Sequence, residues 1–235
     1  MNDASEFHLQ IDLLKRCLER EIKRSGLRES VNWMLPIYSF VACFCSDPDL
    51  LSQWRGYSGA NYGYAIGFRS SAIKKIIENL SGDQNVAIGK CIYDAAIQLD
   101  IVRRLVDHFL SGEYCDWESG DLLSIVLADL FKVGLFFKDE SFRSEQEWRI
   151  ITFQPQAKRV SFRQGTSTII PYVDIPVSQN DCSAIDHICV GPCPHMDLSV
   201  SALDMLMRRY ELWHRTESGG LEIDARRSTI PFRNW

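Results

Sequence analysis

The strongest structural signal in this chain is the stretch F-R-S-E-Q-E-W-R-I-I, from Phe142 to Ile151, where a polar turn changes into an apolar, β-prone run. It contains two carboxylates, Glu145 and Glu147, one residue apart. Side chains two positions apart on a strand point to the same face, so a strand that begins at Glu145 would aim both carboxylates into one place. Arg149 would share that face and is the natural salt-bridge partner of Glu147.

Two interpretations of this carboxylate pair follow from the residues alone. Paired carboxylates at a strand edge can do acid/base work, hold a sugar hydroxyl or stabilise a cationic transition state. In the simpler interpretation, Glu145 and Glu147 pair with Arg143 and Arg149 at a solvated end of the strand. The local sequence leaves both interpretations open.

The composition is typical of a globular protein that buries a sizeable core, with 46% hydrophobic and 24% charged residues in a chain of 235. A net charge of −5, with no run of five like charges, argues against a general nucleic-acid-coating protein. The first ten residues are polar and lack the apolar region of a signal peptide, and no segment predicts a membrane span. We therefore expect a cytoplasmic protein without a membrane partner.

The eight cysteines indicate buried thiols, because they are scattered along the chain without paired CxxC spacing. Cys189, Cys193 and His195 are spaced in a way that suggests metal ligands. However, Pro192 and Pro194 stiffen that segment, and no second motif supplies the remaining ligands of a zinc site. The sequence therefore predicts no metal.

The spacing of apolar residues predicts a succession of helices and strands along the whole chain. Helices are predicted over Asp3–Arg24, Leu50–Tyr57, Ser71–Leu80, Ala95–Leu110, Leu122–Phe137 and Leu198–Tyr210. Strands are predicted over Ile37–Cys45, Tyr64–Phe68, Val86–Tyr93, Trp148–Phe153, Arg159–Phe162, Ile169–Val173 and Ile185–Val190, followed by an extended tail over Arg227–Trp235. No linker or repeat divides them, so the sequence predicts a single α+β domain over residues 1–235.

Three blocks of the sequence carry a family resemblance: C-F-C-S-D-P-D-L-L-S-Q-W-R-G-Y-S-G-A-N-Y-G-Y-A-I-G-F (Cys43–Phe68), K-D-E-S-F-R-S-E-Q-E-W-R-I-I (Lys138–Ile151) and S-T-I-P-F-R (Ser228–Arg233). Together they resemble the bacterial family catalogued as domain of unknown function 2971. Met1–Phe7 resembles a segment that follows a strand and a helix in that family. The resemblance therefore implies that roughly 35 upstream residues, holding this N-terminal strand and helix, are missing here.

The order of parts also resembles that of ADP-ribosyltransferases, in which a late strand opens with a catalytic glutamate, often within a Glu/Gln-x-Glu pair. Glu145-Gln146-Glu147 matches that pair. This resemblance implies a mixed, split β-sheet core with several flanking helices, and NAD as the substrate. Glu147 would stabilise the positive charge that develops on the ribose, near its 2′-hydroxyl, and Glu145 would activate the acceptor.

If NAD is the substrate, Trp54, Arg55 and Tyr57 form a second candidate cluster, together with Arg149 as a further binding residue. Aromatic rings stack on nicotinamide or adenine, and an arginine pairs with pyrophosphate. Alternatively, Trp54 and Tyr57 are three residues apart on one helical turn and pack in the core. No GxGxxG or P-loop pattern is present, which disfavours an ordinary dinucleotide site.

The sequence thus supports hypotheses from different functional classes. The first is an NAD-dependent ADP-ribosyltransferase or NAD glycohydrolase, acting on an unknown macromolecular acceptor, protein or nucleic acid, as a toxin or phage-defence effector. The second is a non-catalytic binding or regulatory domain in which the glutamates and arginines form a structural ion-pair network. A third, nucleic-acid processing, would require a basic cleft. The oligomeric state does not follow from the sequence.

Overall fold

The computed structural model describes residues 16, 20, 38–58, 62–81, 85–111, 128–175, 184–210 and 223–233. Arg16 and Arg20 are helical, and the rest of the predicted helix over Asp3–Arg24 lies outside the described residues, as do residues 122–127 of the helix predicted over Leu122–Phe137. Helices and strands are mixed along the described chain. This confirms the α+β fold class, whereas the single domain over 1–235 stays a prediction.

The elements follow one another in an irregular succession of helices and strands. In chain order they are β1 (Ser39–Cys45), α1 (Leu51–Tyr57), β2 (Tyr64–Phe68), α2 (Ser70–Ser81), β3 (Asn85–Lys90), α3 (Ala95–Ser111), the helical residues 128–134, a 3-10 helix (Glu140–Glu145), β4 (Glu147–Phe153), a 3-10 turn (Ala157–Arg159), β5 (Val160–Gln164), β6 (Ile169–Val173), β7 (Ile185–Val190), α4 (Met196–Arg209) and β8 (Asp224–Arg227).

The predicted elements are present wherever the structure describes them, with ends that differ by no more than three residues. Three elements were not predicted: the 3-10 helix Glu140–Glu145, the 3-10 turn Ala157–Arg159 and the strand β8. The strand does not start at Glu145, the condition under which both carboxylates would share a strand face, but one residue before the predicted Trp148. Glu145 ends the 3-10 helix, and Gln146 then takes a left-handed conformation with φ 46°, so β4 begins at Glu147.

Contacts between Cα atoms divide the chain into two compact units. The first, made of residues 1–44 and 84–173, contains a sheet of order β1-β4-β3 and the hairpin β5-β6. The central strand β4 pairs antiparallel with β3, and all its residues except Trp148 are buried. Ile151 and Phe153 of that strand form a core cluster with Leu135. This burial explains why three of the four residues after Arg149 are apolar, as expected for a strand covered on both faces.

The second unit, made of residues 45–83 and 174–235, contains a sheet of order β2-β7-β8. Strand β7 pairs antiparallel with β2 and parallel with β8. Helix α4 buries Leu203 and Met207, which are four residues apart and therefore lie on one face of the helix. They form a core with Val190, Cys193 and Ile223.

The helices within the described ranges include none with the length and apolar character needed to cross a membrane.

Candidate functional site

The turn before β4 brings Glu145 and Glu147 to the same cation. Asp139 caps the 3-10 helix by accepting a hydrogen bond from the backbone N–H of Ser141, at 2.9 Å, and Gln146 ends it in the left-handed region. Across this turn the Nζ atom of Lys138 lies 2.5 Å from Oε2 of Glu145 and 2.5 Å from Oε2 of Glu147. The two carboxylates therefore converge as predicted, but through a turn and not through strand alternation.

Lys138 is held by buried backbone contacts. Its N–H donates to the carbonyl of Ile92 at 3.1 Å, and its own carbonyl accepts from Nε2 of the buried Gln98 at 3.0 Å. Its ammonium also lies 5.1 Å from the centre of the Phe142 ring, within the range of a cation–π contact. A lysine with only 7% of its surface exposed is thus fixed at both its backbone and its charged end.

Arg149 supplies the second cation, and it is 1% exposed. Its Nε donates to Oε1 of Glu147 at 2.7 Å, its Nη2 lies 3.4 Å from Oε2, and its Nη1 donates to the carbonyl of Leu135 at 2.6 Å. The predicted pair between Glu147 and Arg149 is therefore present. Because the guanidinium also satisfies a buried backbone carbonyl, Arg149 ties the site to the core of its unit.

The predicted pair between Glu145 and Arg143 is wrong. Arg143 forms a fork with Glu140, with Nε 2.5 Å from Oε1 and Nη2 2.6 Å from Oε2. In a 3-10 helix, residues three apart lie directly above each other, which places Arg143 over Glu140. Its guanidinium also lies 5.7 Å from the centre of the Tyr93 ring. Glu145 is left to bind Lys138.

The surroundings of Glu147 keep its carboxylate ionised. Burial alone would raise its pKa, but hydrogen bonds from Arg149, the Cys43 thiol and Lys138 lower the pKa to about 2. Its backbone N–H donates to the hydroxyl of Tyr93 at 2.9 Å. A carboxylate with so low a pKa is a poor general base near neutral pH, but it offers a fixed negative charge.

The Cys43 thiol is affected by the same carboxylate. Loss of solvent around the sulfur, together with its hydrogen bond and repulsion from Glu147, raises the pKa of Cys43 to about 12, although the residue as a whole is exposed. Burial likewise raises the pKa of Cys91 to about 12. Neither thiol is therefore poised as a nucleophile, because the thiolate is the reactive form.

The remaining predicted site residues, Trp54, Arg55 and Tyr57, belong to the second unit. Trp54 is buried, and its indole N–H donates to Oδ1 of Asp49 at 2.8 Å. Tyr57 and Arg55 are exposed on α1. The core-packing alternative is thus correct for Trp54 and wrong for Tyr57, and the contact of all three residues with NAD stays a prediction.

Asp49 is a residue that the sequence analysis missed. It accepts hydrogen bonds from the Ser228 hydroxyl at 2.5 Å, from the Thr229 N–H at 2.7 Å and from the Thr229 hydroxyl at 2.9 Å, besides that from Trp54. These bonds lower the pKa of Asp49 against the opposing effect of burial. They join the first sequence block to the third, across 179 residues. The sequence contained both partners but gave no signal that they meet.

Among the residues that the structure describes, no three histidine, cysteine or acidic side chains are placed to hold a metal ion. The site of the first unit consists of two glutamates, one lysine and one arginine, and these four charges balance. Such a buried, pre-paired cluster provides fixed electrostatics without further rearrangement.

The family comparison bears on the same segment of the chain. Residues 53–150 match the family model described as "Protein of unknown function (DUF2971)". The DUF2971 match takes in most of the first block and nearly all of the second, so it supports the family resemblance that these blocks carry. The comparisons with curated proteins and with solved structures found no match.

Proposed function

We propose that the chain is an ADP-ribosyltransferase-like enzyme that takes NAD as its substrate. One observation supports this function more than any other: β4 opens at Glu147, whose carboxylate is ionised and fixed by Lys138 and Arg149, with Glu145 on the same ammonium. A late strand that opens with a glutamate of a Glu-x-Glu pair is what the resemblance to ADP-ribosyltransferases implies.

In the proposed reaction, the bond between C1′ of the ribose and the nicotinamide nitrogen breaks. The electron pair leaves with nicotinamide, and positive charge develops on the ribose. Glu147 stabilises this charge because it is ionised at neutral pH and does not have to reorient. Its low pKa excludes it as the group that accepts a proton near pH 7.

Glu145 takes the complementary role of accepting the proton of the acceptor nucleophile as the new bond to C1′ forms, and it then passes the proton to solvent. Its side chain is 18% exposed, against 7% for Glu147, and is therefore the easier one for an acceptor to reach. We propose a macromolecular acceptor, protein or nucleic acid, and a role as a toxin or phage-defence effector.

A second candidate function is favoured by a different observation, which is how completely Glu147 is engaged. Its carboxylate accepts hydrogen bonds from Arg149, Lys138 and the Cys43 thiol, and its charge is balanced by the two cations. Buried ion-pair networks can serve to specify one arrangement of a fold. In this case the chain is a non-catalytic binding or regulatory domain, and the cluster is structural.

Incubation of the purified chain with NAD, followed by chromatographic detection of nicotinamide and ADP-ribose, separates the two candidates. The variant Glu147→Gln keeps the shape of the side chain and removes its charge. If the first candidate is right, it lowers turnover by roughly 100-fold or more, the effect of losing one preorganised electrostatic group. Glu140→Gln, at an exposed glutamate paired with Arg143, is the matched control. No turnover by the wild-type chain would favour the second candidate.

A further inference from the structure

Glu145 and Glu147 depend on Lys138 to different degrees. Within the described residues, Lys138 is the cation that contacts Glu145. Glu147 contacts Lys138 and also Arg149, which is itself anchored by the carbonyl of Leu135. Removal of the lysine charge would therefore release Glu145 and leave Glu147 paired.

We propose that Lys138 is a positioning residue, whose ammonium holds Glu145 beside Glu147 in the place from which it receives the acceptor's proton. This inference rests on the proposed ADP-ribosyltransferase-like function. Lys138 does not touch the substrate in this scheme, and it acts through the two carboxylates.

Electrostatics gives the reason why a cation is needed at this position. Both carboxylate oxygens lie 2.5 Å from one Nζ atom, so they are no more than about 5 Å apart, a separation at which two carboxylates without a cation disfavour each other's ionisation. Arg149 donates to Glu147 and to the carbonyl of Leu135, whereas Lys138 contacts both Glu145 and Glu147. Lys138 is thus the charge that the two carboxylates share.

The position of Lys138 is suited to this role because its backbone is fixed independently of its side chain. Gln98 donates both to the Lys138 carbonyl, at 3.0 Å, and to the Ile92 carbonyl, at 2.5 Å. Ile92 in turn accepts from the Lys138 N–H and pairs with Phe137 in an isolated parallel bridge. Loss of the ammonium leaves these backbone contacts in place, so Lys138→Met is expected to fold.

Azide provides the test, because it is an anionic nucleophile that needs no general base. It attacks C1′ with its own electron pair as nicotinamide leaves, and no proton is transferred. With water as the acceptor, Lys138→Met and Glu145→Gln should each lower nicotinamide release by about 100-fold, the usual contribution of a general base. Azide should restore release in both variants but not in Glu147→Gln, and Lys138→Arg should retain activity. Lys132→Met removes a surface lysine paired with Asp129 and should behave as wild type.

Turnover in Lys138→Met equal to wild type, or a loss that azide does not restore, would overturn the positioning role. A wild-type chain that releases no nicotinamide would refute the proposed function and with it the proton transfer to Glu145, and a second measurement then decides whether the Lys138 ammonium positions the carboxylate pair. In a chain labelled with ¹³C at the glutamate carboxyls, Lys138→Met should move the titration midpoint of Glu147 upward from its value near 2, whereas Lys132→Met should not. An unmoved midpoint would overturn it.

Discussion

Replacement of Glu147 by glutamine should destabilise the fold by an amount that depends on pH. The pKa of Glu147 falls from an ordinary value of 4.5 to about 2 in the folded chain. One pKa unit corresponds to about 1.36 kcal/mol, so the ionised carboxylate stabilises the folded state by roughly 3 kcal/mol. Because the folded pKa is the lower one, this stabilisation is fully present above about pH 4.5 and is lost as the pH falls towards 2.

Urea unfolding followed by tryptophan fluorescence, at intervals between pH 7 and pH 2.5, measures this contribution. The free energies of unfolding of the wild-type chain and of Glu147→Gln should differ by about 3 kcal/mol at pH 7, and the difference should shrink steadily below pH 4.5. Glu140→Gln, in an exposed pair with Arg143, is the control and should follow the wild type closely at every pH. A Glu147→Gln variant as stable as wild type at pH 7, or a difference that does not change with pH, would show that the ionised Glu147 carboxylate does not stabilise the fold.

Two further predictions concern other parts of the chain. A Cβ added at Gly191 would lie 2.8 Å from two ring carbons of the buried Trp54. Gly191→Ala should therefore lower the free energy of unfolding, measured by thermal unfolding, by about 1–3 kcal/mol. Gly56→Ala, whose Cβ meets nothing within 4 Å, is its control, and equal effects of the two would contradict the packing argument. The Cys43 thiol has its pKa raised to about 12, so in the folded chain iodoacetamide at pH 8 should alkylate it far more slowly than in the urea-unfolded chain. Alkylation of Cys43 should be faster in folded Glu147→Gln than in the folded wild type. Equal rates in the folded and unfolded chains, read by mass spectrometry, would contradict this.

Three strands were predicted with their observed bounds because their composition favours a pleated sheet. Tyr64–Phe68, Ile169–Val173 and Ile185–Val190 consist mainly of apolar and β-branched residues, which fit a pleated sheet. Strand β8 could not be predicted in this way. Its sequence D-A-R-R has no apolar pattern, and it is a strand because its backbone pairs in parallel with the distant β7.

The candidate site was predictable in part. Alternation along a strand correctly indicated that Arg149 and Glu147 share a face, and the pairing of the two carboxylates suggested a common target. The identity of that target, Lys138, follows from the 3-10 helix and from the left-handed Gln146, and neither has an apolar periodicity that a sequence pattern would reveal. The same 3-10 geometry pairs Arg143 with Glu140 and not with Glu145.

Asp49 illustrates a limit of another kind. The turn around Asp49 has a local sequence signal, since aspartate side chains commonly form Asx turns. In the structure, Asp47 Oδ1 accepts a hydrogen bond from the Asp49 N–H at 2.9 Å. Its bonds to Ser228 and Thr229 depend on the tertiary fold of the second unit. Short polar contacts between residues so far apart in one sequence leave no local pattern to detect.

Nicotinamide release from NAD by the purified chain, with Glu147→Gln and Glu140→Gln assayed beside it, decides whether Glu147 is catalytic. We expect turnover by the wild-type chain and by Glu140→Gln, and a loss of roughly 100-fold or more in Glu147→Gln. Thermal unfolding curves establish whether each variant is folded at the assay temperature, so that a loss of activity is assigned to the substitution and not to unfolding. Turnover in folded Glu147→Gln equal to that of the wild type would show that Glu147 is not the catalytic carboxylate.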